Sequence, residues 1–388
     1  MPPSIPLGEF HARVAGIQEK MAARGLSLLV VYGDEYRKEN LRYVCNFWPI
    51  FERGACFIPA GGEPVFAGAP EGEHYAREMC VWSDIRNVRE FLCVTVPDAI
   101  DYPLSEFSSF KDILARTNPS KGKVGLVGHW DMPYPIRTRL EEAVGGPLAD
   151  AADILQETRL LKSPAEIACL REAGRLACLG YEALMKAAVP GATELAATGA
   201  AEGAARAAGA EAVTFTVFGS GPRAATIIGR PTRRVIVDGD MVMAALAVQY
   251  EGYVSTAEYP FVAGRMSDGQ KRFLSALFEA ANAQLAFLRD GADAAAMVKA
   301  VRAVFAGRGL SKYDVYPPMH GIGLAEAESP YPSEDADYVL RENMCVNSDI
   351  SLFGCPDGSN RIEEGFLITR SGPESLTPAI RELVARGI

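Results

Sequence analysis

A glutamate set among apolar residues is the first feature of this sequence that invites chemistry. Glu258 lies in the stretch Val235 to Gly264, VIVDGDMVMAALAVQYEGYVSTAEYPFVAG. Burial there would favour its proton-carrying form, which suits acid–base work. The stretch reads as two β-strands. Met241 to Val248 is a continuous apolar run with β-branched members, and Tyr250 to Val262 brings aromatics and alternation after a polar break. Side by side in a sheet, these strands would turn Ala245, Thr256 and Glu258 towards whatever space the sheet encloses. Histidine is scarce: His11, His74, His129 and His320 are the whole complement, so His320, in HGIGL, is the only one in the second half. Flanking glycines keep the backbone open around its ring, against the alternative of a satisfied core histidine. In NRIEEGF, strand alternation turns Glu363 inward and Glu364 outward. For Glu258 the competing reading is a buried ion pair with an arginine such as Arg361.

Several blocks resemble the pita-bread superfamily of methionine and Xaa-Pro aminopeptidases, prolidases and creatinase. They are GDMVMAALAVQYEGYVS, SGPRAATIIGRPTRR (Ser220 to Arg234), HGIGLAEAESP (His320 to Pro330), ENMCVNSDIS (Glu342 to Ser351) and NRIEEGFLIT (Asn360 to Thr369), in the family's order. The resemblance implies an α/β amino-terminal domain and an α+β carboxy-terminal domain with a curved antiparallel sheet covered by helices. Metal-dependent members hold two divalent ions with two Asp, one His and two Glu, and those positions here read Ala245, Thr256, His320, Asp349 and Glu363. A methyl and a hydroxyl stand for the two aspartates, and one glutamate is shortened to Asp349. The resemblance therefore leans to the metal-free creatinase and ectoine hydrolase branch, with no metal and no cofactor. STAEYP puts Glu258 on creatinase's glutamate, and His320 and Glu363 match two more of its substrate-holding groups. FERG (Phe51 to Gly54) is similar to the stretch that creatinase's neighbouring subunit offers to a carboxylate, which makes Phe51 and Arg53 candidates in a site shared across a homodimer. One departure is plain. The family's histidine before the Pro of P-T-x-R has no counterpart among Ile227, Ile228, Gly229 and Arg230.

The elements that position these blocks are legible in outline. Phe10, Val14, Ile17 and Met21 predict an amphipathic helix over 8–25 stopped by Gly25, and Leu28 to Tyr32 a buried strand. Ser163 as N-cap, Pro164 at the first helical position and Glu166 in the first turn start a strong helix. The same K-S-P-x-E-I signature opens the family's catalytic domain, which sets domains at 1–157, for dimerisation and covering the site, and 158–388, for catalysis. The Ala-rich stretch Glu194 to Ala208 is expected to be helical rather than a linker. Helices near Ser267 to Arg289 and Ala292 to Phe305 would cover the sheet.

Composition bounds the function classes. The chain has 388 residues, 48% hydrophobic and 23% charged, enough for two domains with a sizeable core. Its net charge of −10 with no basic cluster argues against nucleic acid. No apolar run reaches the roughly 18 residues of a membrane span and no signal-like start is present, so no membrane partner and a cytoplasmic location are expected. Eight cysteines lack metal-ligand spacing and read as small core fillers, with a nucleophilic Cys345 or Cys355 the less favoured alternative.

The expected activity is metal-independent hydrolysis of a C–N bond in a small zwitterionic amidino or amide compound. His320, Glu258 and Glu363 would be catalytic. Phe51, Arg53, Arg223, Arg230, Tyr253, Asp349 and Glu328 would bind substrate; Arg223 and Arg230 divide between structural and anion-anchoring roles, and the aromatics between packing and pocket lining. Rival expectations are a non-catalytic binding protein, a lyase, and a residual Xaa-Pro metallopeptidase with His320, Asp349 and Glu363 around one ion.

Overall fold

Short amphipathic helices alternating with buried apolar strands build the first half of the chain. The computed structural model describes residues 2–92, 106–117, 119 and 123–387. It divides into two units, Ile5–Arg159 and Leu160–Ile388, the second including Met1–Ser4. In the amino-terminal unit, α1 (Leu7–Ala23), β1 (Leu26–Asp34), α2 (Glu39–Cys45), β2 (Arg53–Pro59), β3 (Val65–Gly68), α3 (Glu73–Met79), β4 (Ile85–Asn87), α4 (Phe110–Thr117), β5 (Lys123–Val127), α5 (Tyr134–Val144), β6 (Ala149–Asp150) and α6 (Ala152–Arg159) follow in order. The strands form a mixed sheet, β4-β3-β2-β1-β5-β6. The expected first helix is α1, with Phe10, Val14, Ile17 and Met21 buried. Gly25 ends it at φ +64°, a conformation that favours glycine. Leu28, Val30, Phe57, Phe110 and Leu126 fill the core of this unit.

The carboxy-terminal unit opens with α7 (Pro164–Ala187) and α8 (Glu194–Ala207). Ser163 caps α7 as expected: its hydroxyl accepts from the Glu166 amide at 3.1 Å, and its own amide donates to the Glu166 carboxylate at 2.8 Å. The alanine-rich stretch is α8. Then come β7 (Ala212–Ser220), β8 (Asp240–Tyr250), β9 (Tyr253–Glu258), β10 (Phe261–Ala263), α9 (Asp268–Gln284), α10 (Ala294–Gly307), β11 (Met319–Gly321), β12 (Cys345–Cys355), β13 (Gly358–Thr369), β14 (Gly372–Ser375) and α11 (Pro378–Arg386). The sheet runs β10-β8-β9-β13-β12-β11, with β7 also on β8 and β14 also on β13. Every pairing registered in it is antiparallel. Leu176, Tyr181, Leu246, Phe278 and Ile362 join helices to sheet in one core.

Two strand expectations change in detail. The second strand of the central stretch ends at Glu258 and resumes as β10, because Pro260 has no amide to continue a ladder; β10 returns to pair with β8 at Phe261 and Val242. Glu364 does turn to the face opposite Glu363, but that face is covered. Its carboxylate is fully buried and meets Arg381 at 3.2 Å.

In the amino-terminal unit, burial raises the pKa of Glu52 from 4.5 to about 7, only partly offset by the Gly72 amide that donates to it at 2.9 Å. Between about pH 4.5 and 7 the folded chain holds a proton that the unfolded chain releases, so stability contributed at acid pH is lost as pH rises through this window. In urea titrations across that range, E52Q is expected to remove this share of the slope.

Candidate active site

Strand register makes the site. Ala245 on β8 lies opposite Glu258 on β9, Glu258 opposite Glu363 on β13, and Glu363 opposite Asp349 on β12. Residues more than a hundred positions apart thus share one row across four strands. On the far side, His320 of β11 pairs with Asn347 of β12, whose amide donates to Glu363 at 3.0 Å. Like charges directly opposite one another destabilise a sheet unless something compensates them.

The compensating group is Arg361, two residues before Glu363 and therefore on the same face of β13. Its guanidinium lies 3.2 Å from Glu258, 3.2 Å from Glu363 and 3.6 Å from Asp349. Nη2 also donates to the Ile227 carbonyl at 3.1 Å. Ile227 is a β-branched residue at φ 62° and ψ −64°, with the Ile228 amide donating back to Thr226 at 2.7 Å. That is the strained, rarer hand of γ-turn.

Proton affinities follow from this crowding. Burial drives Glu258 well above the ordinary carboxylate range, and the charges of Glu363 and Asp349 add to it against the pull of Arg361. Burial, then the Glu363 charge, raises Asp349 to about 7. Glu326 is raised by burial and by Glu363. For His320, burial works against the charged ring, but Glu326 and Glu363 outweigh it and the net shift is upward. Nδ1 lies 3.0 Å from the Gly321 carbonyl, which makes it a donor, and Nε2 faces Glu326 at 3.8 Å.

A cavity of about 950 Å³ opens over part of this row: His320, Glu326, Asp349, Arg361 and Glu363 line it, whereas Glu258, expected to be catalytic, is fully buried and outside the lining. Phe215, Val217, Ile228 and Pro231 give another part of its wall an apolar character. Ile228 is 76% exposed in the segment where the resemblance implies a histidine.

Other expected site residues have different surroundings. Arg230 lines the cavity, whereas Arg223 is tied to Glu194 at 3.2 Å and to the Arg230 carbonyl at 2.6 Å. Tyr253 is buried outside the cavity lining, with its hydroxyl donating to Glu166 at 2.9 Å. Glu328 meets Lys162 at 2.8 Å, also away from the lining. Phe51 and Arg53 belong to the amino-terminal unit. Phe51 is 71% exposed at φ 60°, and Arg53 donates to the Leu92 carbonyl at 3.2 Å. Cys93 lies outside the described residues. The remaining seven cysteines are free, and the Cys345 thiol is pushed up to about 12 by burial, unlike an activated nucleophile.

Residues 168–370, just over half the chain, match the model of metallopeptidase family M24. The chain belongs to this family. Residues 13–161 match the creatinase/prolidase N-terminal domain. The M24 chain is 30% identical to a probable dipeptidase PepE of Mycobacterium tuberculosis over 254 residues, 65% of this chain and 68% of the relative. It is 29% identical to a Xaa-Pro dipeptidase of Pyrococcus horikoshii over 233 residues, 60% of this chain and 66% of that one. These alignments span about two thirds of the relatives' own length. Among solved structures, the dipeptidase PepE of Mycobacterium ulcerans superposes with a TM-score of 0.79 at 26% identity, covering 96% of both chains. A prolidase of Pyrococcus horikoshii gives 0.80 at 22% identity, covering 94% of this chain and 98% of that chain.

These likenesses correct the expected activity. The relatives carry dipeptidase and prolidase names, pointing to peptide bonds rather than to the amidino or amide compound of a creatinase-like hydrolase. The altered donor residues are what resemble the metal-free branch, while the M24 region as a whole aligns with peptidases.

The donor set does not fit the family's metal pair. Ala245 supplies no donor, the Thr256 hydroxyl donates to Glu326 at 3.1 Å, and a guanidinium already stands between the carboxylates. Among the described residues, no group of three or more His, Cys, Asp or Glu is arranged to hold a metal ion.

One residue that holds a segment of the cavity wall from behind carries no site signal in the sequence. Glu194, at the start of α8, accepts from the amide and hydroxyl of both Ser220 and Thr232, and from Arg223. Burial would raise its pKa, but these donors outweigh it and hold the carboxylate below its usual range. It pins both ends of the segment that carries Ile227 to Pro231. Its only sequence signal was an acid in a helix's first turn. E194A leaves several buried donors without an acceptor and is expected to cost about 3–5 kcal/mol in urea unfolding.

Proposed function

We propose that this chain hydrolyses short peptides, dipeptides in the first instance, and does so without a divalent metal. The observation that carries this reading is the set of carboxylates, Glu326, Asp349 and Glu363, that line a large cavity together with His320 in an M24 fold. The ionisable groups offer hydrogen-bonding and charged partners to the polar termini of a peptide, and the apolar wall favours its side chains. Glu326 faces His320 at 3.8 Å, and burial raises its proton affinity, so it is suited to take the proton of an attacking water. His320, held towards its charged form, delivers a proton from Nε2 to the leaving amine. Water adds to the carbonyl carbon, the C–N bond breaks, and acid and amine are released. The names of the relatives support peptides as the substrate class. A second copy of the chain is part of this reading: Phe51 exposes its ring beside Arg53, leaving that segment open to a partner. A cytoplasmic location is retained as well. Among the described residues, no helix is long and apolar enough to cross a membrane.

A binding role without turnover is the second reading, favoured by Ala245 and Ile228 at positions where the resemblance implies acidic and histidine side chains.

Mass-spectrometric product assays with Xaa-Pro and other dipeptides, with and without chelator, separate these readings. Cleavage indifferent to chelator is expected, and E326Q or H320A should lower kcat by roughly 10²–10⁴-fold. Saturable calorimetric binding with no product would establish the binding role instead. Cleavage abolished by chelator and restored by Mn(II) or Zn(II) would overturn the metal-free mechanism.

A further inference from the structure

We propose that Arg230 anchors the terminal carboxylate of the peptide, so that the chain selects substrates with an unblocked carboxy terminus. The proposal rests on the peptidase reading for its substrate class and adds to it the group that recognises one end.

Availability is the first argument. Of the arginines and histidines that line the cavity, Arg361 stands 3.2 Å from Glu258 and from Glu363, and the His320 ring faces Glu326. Arg230 is exposed, and among the described residues its guanidinium makes no hydrogen bond or ion pair. Glu202, an acid on the same wall, accepts from the Thr216 hydroxyl at 2.7 Å and is not paired with it. Arg230 is thus the arginine left to receive an anion from outside the chain.

Placement is the second. Val217 of β7 lies opposite Ala245, so β7 extends the row at one edge of the sheet, while β11 with His320 forms the other. The Phe218 amide donates to the Gly229 carbonyl at 2.9 Å, which lays Ile228 to Arg230 alongside β7. Arg230 and His320 therefore line the cavity from opposite edges. A peptide lying between them offers its carboxylate to Arg230 and its scissile carbonyl to the end that holds His320 and Glu326.

Fixation is the third. The backbone of this segment is held at four consecutive points: the Ile227 carbonyl by Arg361, the Gly229 carbonyl by Phe218, the Arg230 carbonyl by Arg223 at 2.6 Å, and the Thr232 amide by Glu194. Arg223 spends its own charge on Glu194 at 3.2 Å. One arginine thus braces the backbone, and the other is presented from it. A braced stem lowers the entropy lost when a ligand is bound, and a planar guanidinium meets a carboxylate through two parallel N–H donors. Phe215 and Ile228 line the same wall as apolar surface for the side chain next to that carboxylate.

The test compares alanyl-leucine and alanyl-alanyl-leucine, each as free acid and as carboxy-terminal amide. Binding is measured by calorimetry on full-length E326Q, in which turnover is suppressed, and on E326Q carrying R230Q or R230K; mass spectrometry of wild type follows cleavage. The free acids are expected to bind E326Q roughly 10–100-fold more tightly than the amides. R230Q should erase that preference by weakening the acids while leaving the amides unchanged, and R230K should restore part of it as a point charge. Since the side chain makes no contact that folding needs, Tm should stay the same in both variants. Preference for the acids that is lost in R230Q, beside a wild-type chain that cleaves nothing, would fault the peptidase reading and leave the anchor standing. Equal binding of acid and amide to E326Q overturns the proposal. So does a preference that survives R230Q, or no binding of either form.

Discussion

Three carboxylates on adjacent strands are costly to bury side by side unless a cation or bound protons offset their charge, and that constraint organises the carboxy-terminal unit. Glu258, Glu363 and Asp349 are placed opposite one another by the sheet itself, so their repulsion is a property of the register and not of loose side chains. Arg361 answers it from within the same strand as Glu363. The neighbouring features follow from keeping this arrangement dry and in place: helices cover the opposite face, Asn347 steadies Glu363, and the segment after β7 closes over the guanidinium.

Fold and site carry different information in this chain. The fold is that of prolidases and dipeptidases over nearly its whole length. Where the resemblance implies a histidine and acidic donors the site has His320, Asp349 and Glu363, but Ala245 and Thr256 stand where it implies two aspartates. A fold supports many chemistries, and the donor set decides which are open to it. Here the set argues against shared metal ions, while the relatives argue for peptides over amidino compounds.

Much of this was visible in the sequence where local physics decides. Ser163, Pro164 and Glu166 announce α7, the apolar run from Met241 announces β8, and Tyr250 to Tyr253 allow a tight turn in which Glu251 and Gly252 both adopt positive φ. The inward direction of Glu363 followed from alternation. Burial of Glu364 did not, because alternation tells which face a residue takes and not whether helices cover that face. The pairing of Glu258 with Arg361 stood among the alternatives, but a residue pair a hundred positions apart is settled only by strand register. Tyr253 and Glu328 looked like site residues because they sit in site-bearing blocks; their partners, Glu166 and Lys162, come from a helix and a turn that no local pattern connects to them. Glu194 was hidden by its alanine-rich context, since its role depends on the two ends of a distant segment folding back to it.

The strained turn at Ile227 joins the shape of the cavity mouth to the charge balance of its floor. The same carbonyl that receives Arg361 belongs to the segment that presents Ile228 and Arg230 to the cavity. Relaxing the turn would cost the guanidinium an acceptor, and losing the guanidinium would remove a reason for the turn to hold its backbone so. Substitutions in the wall and in the carboxylate row therefore belong to one energetic unit. Their effects on stability will be non-additive, with the wall partly insensitive once the floor has been altered.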